Sequence, residues 1–298
     1  MQLRLGIDGG GTTTRAVIID ENMRDLGRGE AGSSNHYSVG VERTAQNIQL
    51  AVAAALQAAS VRETEIASWG LGLAGACTAV EQDLLHKAIA PICTAQKLVI
   101  DEDVAAAQAG AFGGGTGAVC IAGTGANCFG INSAGQRARA DGLGPLLGDR
   151  GSGYWIGELT LRIVCKMHDG LVLKSPLLEK VLRQLEVADV DGLVQIVYQP
   201  DFERDRIAGL APIVMQLSRD GDAASTDILQ SAGRELAATT IAVLQPLNLQ
   251  TVAPVGGILS QQTALRETYE AELKNAVVGA QVVEAKYDAV IGAALLAK

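Results

Sequence analysis

Three acidic residues in a row, Asp101-Glu102-Asp103, stand where a short apolar run gives way to an alanine-rich segment. A carboxylate at such a junction can cap the helix that follows. It can equally act as a general base that accepts the proton of a hydroxyl while that oxygen attacks phosphorus. Asp103 lies at the end of the strand and the start of the helix, but charge proximity alone does not choose among the three. A second chemistry-bearing segment is Asp8-Gly9-Gly10-Gly11-Thr12-Thr13-Thr14. Its glycines let a backbone approach an anion closely, and its threonines add hydroxyl donors. Asp8 adds a carboxylate able to hold Mg²⁺ through water. No G-K-[ST] follows, so this is not a P-loop, and a strand rather than a helix comes next, so it is not a dinucleotide fingerprint. An ordinary glycine hairpin has the same composition. Ala122-Gly123-Thr124-Gly125-Ala126-Asn127 repeats the pattern, and two such turns could grip a triphosphate between them.

Three further segments are polar or glycine-rich. Ser33-Ser34-Asn35-His36 precedes a helix, where serine and asparagine commonly cap. Gly142-Leu143-Gly144-Pro145-Leu146-Leu147-Gly148-Asp149-Arg150-Gly151-Ser152-Gly153-Tyr154-Trp155-Ile156-Gly157 is long and specific. Asp149 within it could cap the next helix or bind a sugar hydroxyl. Gly256-Gly257 would let a nucleotide base or ribose lie against the backbone, or simply turn a strand into a helix.

The elements that position these residues follow from periodicity. Leu3 to Ile7 and Arg15 to Asp20 read as a hairpin around the first glycine turn, with a third strand near Leu26 to Glu30. Val41 to Ala59 reads as a helix, Ile66 to Leu73 as a strand and Val80 to Ala90 as a helix. Lys97 to Ile100 reads as the strand that delivers the acidic triplet, and Val104 to Ala111 as a helix. The glycines from 113 to 117 are the candidate lobe boundary. The pattern then restarts: Ala118 to Ala122 and Asn127 to Ile131 read as strands around the second turn, a weak internal repeat. Helices are expected over Gly153 to His168, Pro176 to Leu185, Arg204 to Arg219 and Ala223 to Leu244. Val252 to Val255 reads as a strand, and Thr263 to Val277 and Asp288 to Ala297 as the last helices.

Composition narrows the function classes. The 298 residues suffice for two lobes. The formal net charge of −9, from 24 Lys and Arg against 33 Asp and Glu, opposes binding to nucleic acid or anionic membrane. The five cysteines form no C-x-x-C pair and the three histidines are scattered, which argues against a disulfide framework or a zinc site. No apolar run is long enough to span a membrane, and the N-terminus lacks the pattern of a signal peptide, so a cytoplasmic protein is expected.

Together these segments resemble the BadF/BadG/BcrA/BcrD ATPase family, and within it the N-acetylglucosamine kinases. The resemblance runs from Gly6 to the last helix. It implies an α/β actin-like ATPase (ribonuclease-H-like) fold of two duplicated lobes with an interlobe cleft, placed here at residues 1–115 and 116–286 with the terminal helix, 287–298, on the first lobe. It implies ATP and Mg²⁺ as cofactors. Gly10, Gly11, Thr12 and Thr13 would form one phosphate loop, Thr124 and Gly125 the other, and Gly256 and Gly257 would lie by the adenosine. Asn35, Asn127, Gly142, Leu143 and Asp149 would line the sugar site, and Asp103 would be the base that activates the 6-hydroxyl of a small amino sugar. A homodimer is implied as well. Two positions depart from the family's pattern: Leu143 stands where Trp is frequent, and Arg150 where an acidic residue is common. No cysteine sits in a motif suited to the iron–sulfur cluster of the family's activator members. An ATPase that drives a partner protein, or a sugar sensor without turnover, would share the phosphate loops.

Overall fold

The structure is a computed structural model and describes residues 2–298. Strands β1 (Leu3–Gly9), β2 (Thr13–Ile19) and β3 (Asp25–Gly32) open the chain. Helices α1 (His36–Val39) and α2 (Val41–Ala59) lead to β4 (Ile66–Leu73), α3 (Ala79–Ile89), β5 (Lys97–Glu102) and α4 (Asp103–Phe112). Strands β6 (Gly117–Ala122), β7 (Ala126–Ile131) and β8 (Arg137–Asp141) then precede a helical stretch: α5 (Gly153–His168), α6 (Pro176–Gln184), α7 (Val190–Val197), α8 (Arg204–Ala208), α9 (Ala211–Arg219) and α10 (Ala223–Leu247). The chain closes with β9 (Thr251–Val255), α11 (Ala264–Ala276), β10 (Gln281–Val282) and α12 (Ala289–Leu296). Among the described residues no helix is long and apolar enough to cross a membrane.

The chain divides into two compact units. One comprises Met1–Val119, Ser133–Gly135 and Glu284–Lys298, the other Cys120–Asn132 and Gln136–Val283. The two five-stranded sheets have the orders β3-β2-β1-β4-β5 and β8-β7-β6-β9-β10. Taken in chain order these are the same topology, so the internal repeat seen in the glycine turns extends to whole sheets. In the first sheet β1, β2 and β3 form an antiparallel meander, and β4 and β5 add in parallel to β1.

In the first unit, Leu3, Leu5 and Ile7 alternate into the core with Trp69, Leu71 and Leu73. On the other side of the sheet lies α12, whose apolar sequence suits a helix with no wet face. It approaches the sheet through glycines. A Cβ on Gly6 would lie 2.1 Å from the Val290 carbonyl oxygen, and one on Gly70 would lie 1.9 Å from that of Ala293. The same helix crosses α4, where Gly292 faces the Ala106 carbonyl at a would-be Cβ distance of 1.9 Å. Helix α4 is itself buried from Val104 to Ala111.

The structure departs from the sequence reading at five elements, one of them the single-turn helix α1, which was read as part of the polar loop before α2. The expected helix over 204–219 is two helices, α8 and α9, because Gly209 and Leu210 close the first and Pro212 opens the second, where its missing N–H costs nothing. Helix α7 was not expected; its signal is Asp189, whose Oδ1 accepts from the Gly192 N–H at 2.8 Å. Strand β8 and the two-residue β10 were not expected either. The repeat itself calls for both, because they complete the second sheet to the same order as the first.

Gly292→Ala should destabilise the protein by about 2–3 kcal/mol, since the added methyl has only backbone to push against. Gly11→Ala, where a Cβ would meet nothing within 4 Å, should be close to neutral. Urea denaturation of the two variants checks the contrast.

Candidate functional site

In the first unit, parallel register brings the acidic residues to one sheet edge. Asp8 pairs with Gly72, and Gly72 with Asp101, so the two aspartates share a row across β4. Asp101 is buried, and its Oδ1 accepts from the Glu102 N–H at 2.9 Å. Asp103 is the first residue of α4, and its Oδ1 accepts from the Val104 N–H at 2.8 Å. Gly72 permits this placement: a Cβ there would lie 2.3 Å from the Ala106 Cβ and 3.4 Å from the Asp103 Cα. The start of α4 thus packs directly on β4.

Asp8 is close enough to Asp103 for the two charges to interact. Burial pushes the Asp8 carboxyl up to about 6, the negative charges of Asp103 and Asp288 push the same way, and Arg15 opposes them. Beyond Asp8 the chain turns at Gly10, whose N–H donates to the Thr13 carbonyl at 3.0 Å. The N–H groups of Gly11 and Thr12 have no partner among the described residues. Two adjacent, exposed amide donors at a strand end fit a phosphate oxygen.

The Ser33–His36 loop is tied to this turn. The Ser34 N–H and the Ser33 hydroxyl both donate to the Gly10 carbonyl at 3.2 Å, and the Asn47 side chain of α2 donates to the Ser33 carbonyl at 2.6 Å. Asn35 caps α1, with Oδ1 accepting from the Tyr37 N–H at 3.1 Å. The structure therefore brings together Asp8, the first glycine turn and Asn35, with Asp103 close by.

In the second unit, the turn between β6 and β7 rests on the N-terminus of α5. The Gly153 N–H donates to the Gly123 carbonyl at 2.8 Å and the Tyr154 N–H to that of Thr124 at 3.1 Å. With those carbonyls held, the N–H groups of Thr124 and Gly125 are left without a partner among the described residues. The Gly256 turn joins the same strand end, since the Ile258 N–H donates to the Ala122 carbonyl at 3.2 Å. Gly256, at φ +96°, comes so close that a Cβ would lie 2.4 Å from that oxygen.

Asn127, Gly142 and Asp149 also converge. Asn127 pairs with Asp141 across β7 and β8, and a Cβ on Gly142 would lie 2.9 Å from the Asn127 Cβ. The buried Asn127 Oδ1 has no hydrogen-bond partner, which leaves an acceptor for a ligand donor. Asp149 does not cap α5; Ser152 does, accepting from the Trp155 N–H at 3.2 Å. Instead the buried Asp149 carboxylate accepts from the Ala126 N–H at 3.3 Å and pairs with Arg204. Leu143 stands exposed on the loop between Gly142 and Asp149. Two residues that no motif marked, Asp141 and Arg204, hold this corner together. The sole sequence signal for Asp141 is its position between a strand and a glycine.

A resident metal would have to rely on few protein ligands, because no group of three or more His, Cys, Asp or Glu side chains converges among the described residues. That fits magnesium on nucleotide phosphates, which keeps waters and takes one or two carboxylates. Asp8 is the carboxylate beside the phosphate-type turn.

The chain aligns end to end with characterised proteins. It is 28% identical to the N-acetylmuramic acid/N-acetylglucosamine kinase of Clostridium acetobutylicum over 100% of this chain and 99% of that protein. It is 28% identical to the N-acetyl-D-glucosamine kinase of Dictyostelium discoideum over 99% and 98%. A solved structure from Chromobacterium violaceum, provisionally named an N-acetylglucosamine kinase, superposes with a TM-score of 0.81 at 26% identity, covering 100% of this chain and 99% of that one. With two α/β units of one topology and a family match that runs over residues 5–297, the chain belongs to the BadF/BadG/BcrA/BcrD ATPase family.

Proposed function

We propose that the protein is an ATP-dependent hexosamine kinase that phosphorylates N-acetyl-D-glucosamine, or D-glucosamine, at the 6-hydroxyl to give the 6-phosphate and ADP. The observation that carries this reading is the full-length kinship with kinases of N-acetylated hexosamines from a bacterium and an amoeba. Local geometry supports it. Gly10, Gly11, Thr12 and Thr13 on one unit, and Thr124 and Gly125 on the other, are assigned to the phosphates, and Gly256 and Gly257 to the adenosine. Asn35, Asn127, Gly142, Leu143 and Asp149 are assigned to the sugar. The unpaired Asn127 Oδ1 is an acceptor that a sugar hydroxyl or amide would satisfy, and a sugar lacking that donor would leave it unpaired.

Bound ATP supplies the phosphoryl group, and bound Mg²⁺ neutralises charge on its phosphates. The protein's own part is to position and to move one proton. Asp103 accepts the proton of the 6-hydroxyl, held at the first turn of α4 by the Val104 N–H. Asp8 is the carboxylate that would hold the metal, through water. The amide donors of the two turns hold phosphate oxygens without reorganisation during transfer. Mg²⁺ as the metal, a homodimer and a cytoplasmic location belong to the same reading by kinship with the family.

ADP formation from Mg-ATP should rise strongly with one hexosamine in a panel of N-acetylglucosamine, glucosamine, glucose and N-acetylmuramic acid. Equal, slow hydrolysis with every sugar and with none would shift the reading to a partner-directed ATPase. Asp103→Asn should keep the fold and both KM values while lowering kcat by roughly 10²–10⁴, the range for a lost general base. Near-normal turnover in that variant would remove Asp103 from the role. For Asp8, folding favours the protonated form, because its carboxyl is raised from 3.8 to about 6. Its stabilising contribution is therefore full below about pH 4 and lost as pH rises through about 6. Asp8→Asn should be more stable than the parent by on the order of 2 kcal/mol above about pH 7, and no more stable below about pH 4. Urea denaturation at several pH values reads this directly, and a difference that does not change with pH would contradict it.

A further inference from the structure

Asp141 ends β8, and its side chain is wholly shielded from solvent (0% exposed). Its carboxylate accepts three backbone hydrogen bonds. Oδ1 accepts from the N–H groups of Gly142 at 2.9 Å and Asp149 at 2.6 Å, and Oδ2 accepts from the Arg150 N–H at 2.9 Å. The Arg150 guanidinium adds an ion pair, Nη1 to Oδ2, at 3.6 Å. One carboxylate thus gathers both ends of the loop 142–148. Gly148 makes room for it, since a Cβ there would lie 2.1 Å from the Asp141 Oδ1.

This clasp holds the backbone in an unfavourable state. Asp141 at φ +68° and Asp149 at φ +56° both occupy the left-handed region without being glycine. Such conformations persist only where the surroundings enforce them. At Asp149 the enforcement is the bond from its own N–H to Asp141. The consequence appears at the side chain: the Asp149 carboxylate is turned to the Ala126 N–H and to Arg204, and the Arg204 guanidinium lies 5.6 Å from the centre of the Tyr154 ring. Buried charge is costly to keep, and the mutual hydrogen bonds of the two aspartates with backbone and arginine favour one geometry. The sign at position 150 belongs to the same arrangement. An acidic side chain there would face the Asp141 carboxylate, whereas Arg150 complements it.

We propose that Asp141 is a positioning residue of the sugar site: it fixes the backbone of Asp149 and Gly142 so that the Asp149 carboxylate is aimed at a sugar hydroxyl, with Arg150 as its charge partner. This rests on the kinase reading, in which Asp149 and Gly142 contact the sugar. Asp141 touches no reacting atom; it acts through Asp149. Asp141→Gly is the decisive variant, because glycine relieves the positive φ while removing every bond of the clasp. Asp141→Asn is the conservative partner, because its amide oxygen still accepts from Gly142 and Asp149.

Steady-state kinetics of the full chain with Mg-ATP and the preferred hexosamine should show KM for sugar raised roughly 10- to 100-fold in Asp141→Gly, the effect of a contact displaced by about 1 Å. KM for ATP and kcat should stay within about threefold, and Asp141→Asn should recover most of the sugar affinity. A merely structural role would lower the active fraction, and so kcat, with KM for sugar unchanged. That result, or a parallel rise of both KM values, overturns the inference. If the glycine variant fails to unfold cooperatively, the asparagine variant decides on the same split, with a smaller rise in KM for sugar alone expected and unchanged KM values overturning. A parent chain that phosphorylates no hexosamine overturns the kinase reading and this inference with it.

Discussion

The last helix of the chain lies against the first sheet with no room for a methyl group between the backbones. Gly6, Gly70, Gly110 and Gly292 each occupy a point where a Cβ would come within 1.9–2.4 Å of a carbonyl oxygen. Close approach of this kind gains dispersion contacts that larger side chains would hold apart. It also fixes the site. The sheet supplies Asp8 at the end of β1, the crossing helix α4 supplies Asp103 at its start, and α12 is packed on both. The charge of Asp288, the N-cap of α12, reaches Asp8 as well. A segment nearly three hundred residues away in sequence thus sets both the spacing and the field around the first carboxylate.

That field is unbalanced. Asp8 has two negative neighbours contributing to it against one positive one, Arg15, which is itself paired with Glu30 at 3.4 Å. Exposed arginines screen weakly. A turn that offers amide donors to phosphate, placed beside the mutually repelling carboxylates of Asp8 and Asp103, suits a nucleotide that arrives with a cation. In the kinase reading the raised carboxyl of Asp8 therefore expresses the same requirement as the metal: the site is short of positive charge until magnesium nucleotide supplies it.

Much of the fold was legible because its signals are local. The first meander, α2 and β4 follow from alternation, helical spacing and glycine turns. Helix α8 and helix α9 merged in the reading because apolar spacing runs through Gly209 to Pro212, and only the backbone shows the break. Strand β8 was illegible because Arg137-Ala138-Arg139-Ala140-Asp141 puts only two alanines on its inner face and carries no β-branched or aromatic residue; its pairing with β7 completes what its own composition signals weakly. At the site, Asp103 stood among three acids, and register resolved their environments: Asp101 is buried in the sheet, and Asp103 begins the helix. Asp141 and Arg204 left no motif. One acts through a positive φ, and the other through an ion pair 55 residues away in sequence.

In the kinase reading, where Asp149 is assigned to the sugar, its pair with Arg204 bears on which hexosamine would be preferred. A lone buried carboxylate beside a sugar would attract the ammonium of glucosamine. Asp149 already has a cation in contact and a backbone N–H on its other oxygen, so its charge is spent before a sugar arrives. What it offers a ligand is hydrogen-bond acceptance, which suits a neutral hydroxyl. In the kinase reading, discrimination at the 2-position would then fall to other groups on this loop. The exposed Leu143 next to Gly142 presents apolar surface, which favours an acetamido methyl over an ammonium. In the kinase reading, with leucine where the family frequently has tryptophan, a contact of Leu143 with the acetamido methyl would be smaller than an aromatic ring would give.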